Sequence, residues 1–163
     1  MSIAEITKKM IAYSNGNRRD ISHFLKVYVY AKTIGECEGL DPRTQEILEV
    51  SALLHDIACP LCREKYGNTN GSNQEKEGTI LAADFLKDSG YDQNFIDRVV
   101  FLVGHHHTLD QIDGMDYQIL IEADYLVNAD ESSYSETNIR NTMTHVFKTG
   151  TGTALLKSIY QLD

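Results

Sequence analysis

The sequence has no apolar run long enough to cross a bilayer. Stretches such as Val99–Val103 fall far short of the roughly 20 residues that a spanning helix needs. The first ten residues alternate charged and small apolar groups and lack the apolar core and small-residue cleavage site of an export signal, so a cytoplasmic location is expected. Basic residues are scarce: 15 Lys and Arg against 24 Asp and Glu leave a formal net charge of −9. That balance opposes binding to duplex nucleic acid, which depends on Lys and Arg displacing condensed counterions. It still admits a small anionic ligand, because a metal ion and a few local basic groups invert the field inside a cleft. Cysteines number only three, with Cys37 apart from the pair Cys59 and Cys62, and such an odd set does not match a secreted disulfide framework. Strand signals are weak: no hairpin dipeptide separates alternating runs, and the β-branched residues fall mostly at helical spacing. Low-complexity segments, internal repeats and heptad series are missing as well.

What is present is the ordinary mixture of a globular chain: 163 residues, 42% hydrophobic and 24% charged, enough to bury a core without disulfides. The periodicity predicts an all-α fold. Phe24, Val27, Ala31 and Ile34 make one stripe of a helix from about Asp20 to Glu38, stopped by Gly39. Asp41 caps the next helix with Pro42 at its first position, and that helix is expected to run through Ile47, Val50 and Leu54 to about Ala58. From Cys59 to Asn73, Pro60, Gly67, Gly71 and several asparagines predict a loop that denies a helix. Helices are expected over about Gln74–Lys87, Asp92–His105 and Asp116–Ala129, with a second loop from Thr108 to Gly114. The last third is polar until a short apolar run from Ala154 to Leu162.

The chemistry lies where histidines and acids interrupt apolar stripes. His55 and Asp56 follow Ala52, Leu53 and Leu54 and precede Ile57; Asp124 shares a helix face with Leu120, Ile121 and Val127. A carboxylate enclosed among such residues needs a partner, and a buried salt bridge, a helix-terminal hydrogen bond or a metal ion would each serve. His23 borders the Phe24 and Val27 stripe, so three helices can each direct a ligand into one interior, as metal sites in helical bundles are built.

The order His23, then His55-Asp56, then Asp124, together with the stretches HDIA, GHHHT and ILIEADYLVN, resembles the H…HD…D signature of the HD superfamily of metal-dependent phosphohydrolases. The resemblance covers roughly Arg18 to Asn128 and implies a compact helical bundle with a metal site in its core. It implies one HD-type domain over residues 1–163, with a core at 18–128 and a helical extension at 131–163. It also implies that His23, His55, Asp56 and Asp124 bind the first metal. This nitrogen and oxygen donor set suits manganese, iron, zinc, nickel, cobalt or magnesium. In two-metal members a further histidine and a histidine pair complete a second site. Here the further histidine is missing; Glu75 or Glu77 stands at about its place, and His105, His106 and His107 cannot all face one point. Glu77, His105 and His106 are therefore the candidates for a second ion or a proton donor, and one or two ions remain open.

Arg19 and Lys26 flank His23 and are the candidates for holding a phosphate, with Lys26, three residues on, favoured to share its side of the helix. Cys59-Pro60-Leu61-Cys62 has the spacing of a redox pair or half a zinc site but lacks the surrounding context of either. His145 is expected on a polar surface helix. The resemblance implies hydrolysis of a small phosphoester, a nucleotide being one such, with water as the nucleophile. A di-iron oxygenase and a non-catalytic metal or nucleotide sensor are the alternatives.

Overall fold

Short polar side chains set most of the helix starts in the computed structural model, which describes residues 1–163 as nine helices with no strand. Ser2 and Glu5 form a capping box for α1 (Ile3–Tyr13), and Asn17 caps α2 (Arg18–Glu38), which ends at Gly39. Asp41 caps α3 (Pro42–Leu54) by accepting from the backbone N–H groups of Arg43 and Thr44. The remaining helices are α4 (Cys59–Tyr66), α5 (Gly71–Leu86), α6 (Gln93–Val103), α7 (Met115–Glu131), α8 (Glu136–His145) and α9 (Gly150–Tyr160). None is long and apolar enough to cross a membrane.

The all-α expectation holds, but two boundaries differ from it. First, α3 stops at Leu54 rather than Ala58: residues 55–58 form a turn in which the Ile57 N–H donates to the Leu54 carbonyl at 2.9 Å and the Cys59 N–H to that of Asp56 at 2.9 Å. Second, the segment expected to be a loop from Cys59 to Asn73 contains α4. Proline would break α3 by clashing with the preceding turn, yet Pro60 is tolerated within the first turn of a new helix, where its missing N–H has no partner to lose. Gly67 then ends α4 with φ +70°, a left-handed conformation that costs glycine little. Three further helices lie outside the segments given bounds from periodicity: α8, α9 and the amphipathic α1, which buries Ile6 and Met10.

The central element is α3, which packs against α1, α2, α6 and α7. Residues 47–54 of it, Glu49 and Ser51 among them, are all buried, so this half of the helix is enclosed on every side. Phe24, Val27, Ala31 and Ile34 of α2 and Ile119, Leu120, Ala123 and Leu126 of α7 close over it. The packing therefore brings the start of α2, the end of α3 and the middle of α7 to one place.

The carboxy-terminal part is fastened to this core by buried Glu122 of α7. Its Oε1 accepts from Gln118 Nε2 at 2.7 Å and from the backbone N–H groups of Lys148 and Thr149 at 2.7 and 3.0 Å, while the Thr149 hydroxyl donates to Oε2. Glu38 adds a second carboxylate, accepting from the Thr151 N–H at 2.8 Å. Two acids thus satisfy the exposed N–H groups at the start of α9 and complement its dipole. Because Glu122→Ala would strand several buried donors, it is expected to cost about 3 kcal/mol in urea unfolding. A loss below about 1 kcal/mol would show that α9 is not held this way.

Candidate metal centre

His23 lies in the second turn of α2, His55 and Asp56 on the tight turn after α3, and Asp124 in the middle of α7. Their inward atoms converge. His23 Nε2 is 3.2 Å from His55 Nε2, 3.3 Å from Asp56 Oδ2 and 3.2 Å from Asp124 Oδ1. His55 Nε2 is 3.5 Å from Asp56 Oδ2 and 3.4 Å from Asp124 Oδ1. Each imidazole Nε2 thus lies within 3.5 Å of both carboxylate oxygens; His23, His55 and Asp56 form one compact group able to hold an ion, with Asp124 Oδ1 against the two rings. His23, His55 and Asp124 are buried; Asp56 is partly open to solvent.

Outer contacts orient each donor. His55 Nδ1 lies 2.8 Å from the Ala52 carbonyl, and that carbonyl can only accept, so the neutral ring carries its proton on Nδ1 and turns the Nε2 lone pair inward. His106 is arranged alike, with Nδ1 2.8 Å from the Val103 carbonyl and Nε2 3.4 Å from Asp56 Oδ1. His106 Nε2 is buried without a hydrogen-bond partner. His23 Nδ1 donates to Glu131 Oε2 at 3.0 Å, and Asn128 Nδ2 donates to Asp124 Oδ1 at 2.9 Å.

With lone pairs and carboxylate oxygens facing one another, the centre requires positive charge, supplied either by protons on the imidazoles or by a cation. Burial disfavours the charged form of His23, but the neighbouring Asp124 and Asp56 outweigh it and push the ring up to about 9. Burial also opposes ionisation of Asp124, yet the hydrogen bonds from His23 and His55 hold its carboxyl well below the usual range. Two protonated rings with Nε2 atoms 3.2 Å apart repel each other, whereas one divalent cation would serve both rings and both carboxylates. The donor set therefore fits a divalent metal.

The centre opens into a polar cleft of about 440 Å³ that is bordered by Arg19, Asp20, Cys59, Arg63, Gln74 and His107, among others. Arg63 of α4 pairs with Asp20. Cys59 is buried beside Asp56, and desolvation followed by that negative charge pushes its thiol far up, so it is a neutral thiol rather than a reactive thiolate. Cys59 and Cys62 are both free and sit one turn apart on α4.

Several candidates lie elsewhere. Lys26 is absent from the cleft lining; its Nζ reaches Glu131 Oε1 at 3.3 Å, behind His23. Glu77 faces α4, where Lys65 Nζ and the Tyr66 hydroxyl each donate to its Oε1 at 2.6 Å. Glu75 accepts from the His107 N–H at 3.0 Å and so braces the histidine turn. His105 stacks on Phe101 with ring centroids 4.1 Å apart and turns away from the centre, because α6 ends at Val103 and the tight turn over residues 104–107 resets the side-chain directions. The pair near Asp56 is His106 and His107. Gln74, just before the Glu75 and Glu77 expected near the missing histidine's place, meets His107 Nε2 through Oε1 at 3.0 Å. His145 is exposed.

Sequence reasoning passed over Asn128, Glu131, Arg63 and Gln74. The first two are readable, since four and seven residues after Asp124 lie on one helix face. Arg63 is hidden by the reading of α4 as a loop, and Gln74 carries no signal until the fold places it beside His107.

A family model described as HD domain matches residues 20–136. Among solved structures, the chain is similar to the crystal structure of a predicted HD superfamily hydrolase from an uncultured Thermotogales bacterium. The two share 23% identity at a TM-score of 0.67, over 98% of this chain and 83% of that one. No curated protein matches.

The raised His23 value has a sign that can be tested. Its share of stability in the metal-free protein is complete below the unfolded value of 6.5 and is lost as pH rises through about 9, and a cation must displace its proton anywhere below that point. The gain in Tm on adding Mn²⁺ to chelator-treated protein should therefore widen between pH 6.5 and 9; a gain that stays level would contradict it. Replacing Glu131 by Ala, which frees the His23 ring, should weaken Mn²⁺ binding measured by calorimetry about 10- to 100-fold.

Proposed function

Since this chain belongs to the HD domain family, we propose that it is a metal-dependent phosphohydrolase acting on a small phosphoester, with His23, His55, Asp56 and Asp124 as the ligands of one divalent cation. The observation that carries this reading is a pair of imidazole nitrogens 3.2 Å apart, each within 3.2–3.5 Å of an Asp56 and an Asp124 oxygen, on the floor of a cleft whose rim holds two guanidinium groups. A divalent cation held there activates water and neutralises charge on a phosphate oxygen.

The remaining roles fall to side chains of the cleft. Arg63 and Arg19 provide planar donor forks suited to the non-reacting phosphate oxygens, and Arg63 is the more fixed because Asp20 holds it. His107 presents an exposed ring in the cleft; its Nε2 proton goes to Gln74, which leaves Nδ1 as an acceptor. Glu131 and Asn128 keep His23 and Asp124 in position. We read residues 1–163 as one domain of this type, with α8 and α9 as its carboxy-terminal extension.

The di-iron oxygenase reading needs a second nitrogen-rich site. Beyond His23 and His55, the nitrogens near Asp56 are those of His106 and His107 alone, with the Gln74 amide beside them, which weighs against it. Purified protein given Mn²⁺, Co²⁺ or Fe²⁺ is expected to hydrolyse generic phosphoesters or nucleotides, and Asp56→Ala to abolish turnover. Tight binding of these compounds with no turnover above the Asp56→Ala level would move the chain to the sensor reading. Arg63→Ala should raise KM about 10-fold or more while changing kcat less, the cost of a charge-assisted contact made in ground and transition states alike.

A further inference from the structure

The pair Cys59-Pro60-Leu61-Cys62 has no part in the proposed reaction, and the fold gives it a local setting that its spacing alone does not. Cys59 is the first residue of α4 and Cys62 lies one turn on, its N–H donating to the Ala58 carbonyl at 2.8 Å. Side chains three residues apart on a helix share a face, and each leans toward the amino-terminal turn, so Cys62 leans toward Cys59. That helical separation puts the two Cα atoms roughly 5 Å apart, inside the range a disulfide spans. Both thiols are free and buried, at 6% and 0% exposure, and of the two only Cys59 borders the polar cleft. A small reagent in the cleft therefore meets Cys59 first, with Cys62 one turn on to complete the exchange.

Cys59 also belongs to the turn that presents the metal donors. Its N–H donates to the Asp56 carbonyl at 2.9 Å, and its thiol lies beside the Asp56 carboxylate. Arg63, the residue after Cys62, brings its guanidinium to the same cleft. A bond between the two sulfurs would tie the Asp56 turn to the first turn of α4. It would also remove the S–H group beside Asp56, an outer neighbour of the kind that helps to hold a ligating carboxylate in place.

We propose that Cys59 and Cys62 form a reversible intramolecular disulfide, and that its closing weakens the hold of the neighbouring centre on its cation. The inference goes beyond hydrolysis and rests only on the metal-binding part of the reading above. The oxidant is a low-molecular-weight disulfide. One of its sulfurs bonds to Cys59 Sγ as its own S–S bond breaks, and a first small thiol leaves with the Cys59 proton. Cys62 Sγ then bonds to Cys59 Sγ, and a second small thiol leaves with the Cys62 proton. Two electrons pass from the protein to the small disulfide. Burial, and after it the neighbouring acids, keeps both thiols neutral, so the exchange is slow. A pair whose reduced form gains nothing from ionisation also holds its disulfide firmly.

The test uses the full chain carrying Cys37→Ser, which removes the exposed third thiol. Freed of metal by a chelator, it is brought to equilibrium with graded ratios of hydroxyethyl disulfide to mercaptoethanol. Alkylation under denaturing conditions and intact mass should show a closed form lighter by two hydrogens and carrying no alkyl group. After removal of the reagents, Mn²⁺ binding by calorimetry should be about 10-fold weaker in the closed form, the scale of a lost outer contact. It should recover when excess mercaptoethanol reopens the bond in the same sample. With both Cys59→Ser and Cys62→Ser added, the treatment should leave Mn²⁺ affinity unchanged. Mixed disulfides or free thiols alone at every ratio overturn the inference. So does a closed form that binds Mn²⁺ as the reduced protein does, or a treatment effect that persists without the two cysteines. Each of these results leaves the metal reading intact. Reduced protein that binds no Mn²⁺ ends the metal reading, and this inference with it.

Discussion

Two imidazole nitrogens 3.2 Å apart, each within 3.2–3.5 Å of two carboxylate oxygens, cannot occupy a largely buried space unless positive charge lies among them. The rest of the molecule is arranged around that constraint. An ionised carboxylate left unpaired in an apolar interior would cost several kcal/mol, a large part of the net stability of a domain this size. Asp124 can therefore stand among Leu120, Ile121 and Val127 only because α2 and the turn after α3 deliver His23 and His55 to it. The apolar packing of α3 against α2 and α7 is thus also the device that brings the charges together, and it supplies the binding energy that offsets their desolvation.

The outer contacts show how the centre is tuned. In all three inward-facing rings, His23, His55 and His106, Nδ1 is taken up by an acceptor outside the centre, either a carbonyl or a carboxylate. Only Nε2 is then left to face inward, and the choice of tautomer is made before any ligand arrives. Lys26 belongs to this outer layer. By approaching Glu131 it balances the acid that holds His23, which is a different part from the contact with a phosphate that its spacing suggests.

How much of this was legible depended on whether a residue obeyed a helical period. The stripe Phe24, Val27, Ala31 and Ile34, the Asp41-Pro42 start and the enclosure of Asp124 all follow from periodicity and capping, and the structure has them. Legibility failed at the two places where the chain leaves helical phase. Pro60 and Gly67 look like loop residues, yet each also has a lawful place at a helix end, so α4 and with it Arg63 escaped notice. After Gly104 the turn resets the directions of three consecutive histidines, and no local rule states that His106 and His107 face Asp56 while His105 lies on Phe101. The placement of Gln74 against His107 is a tertiary fact with no trace in local sequence.

That placement bears on how many ions the centre takes. Gln74 is buried, and its amide is oriented because Nε2 donates to the Thr69 carbonyl at 2.6 Å, leaving Oε1 to accept from His107 Nε2. For His107 to coordinate through Nε2 it would have to give up that proton, and Gln74 Oε1 would then lose its partner and face the nitrogen lone pair. Stranding a buried acceptor costs about 1–3 kcal/mol, roughly 5- to 150-fold in affinity, before the cost of removing the proton is counted. A cation near Asp56, His106 and His107 would therefore meet this cost if it took His107 through Nε2 and would avoid it through Nδ1, which this tautomer leaves as a lone pair.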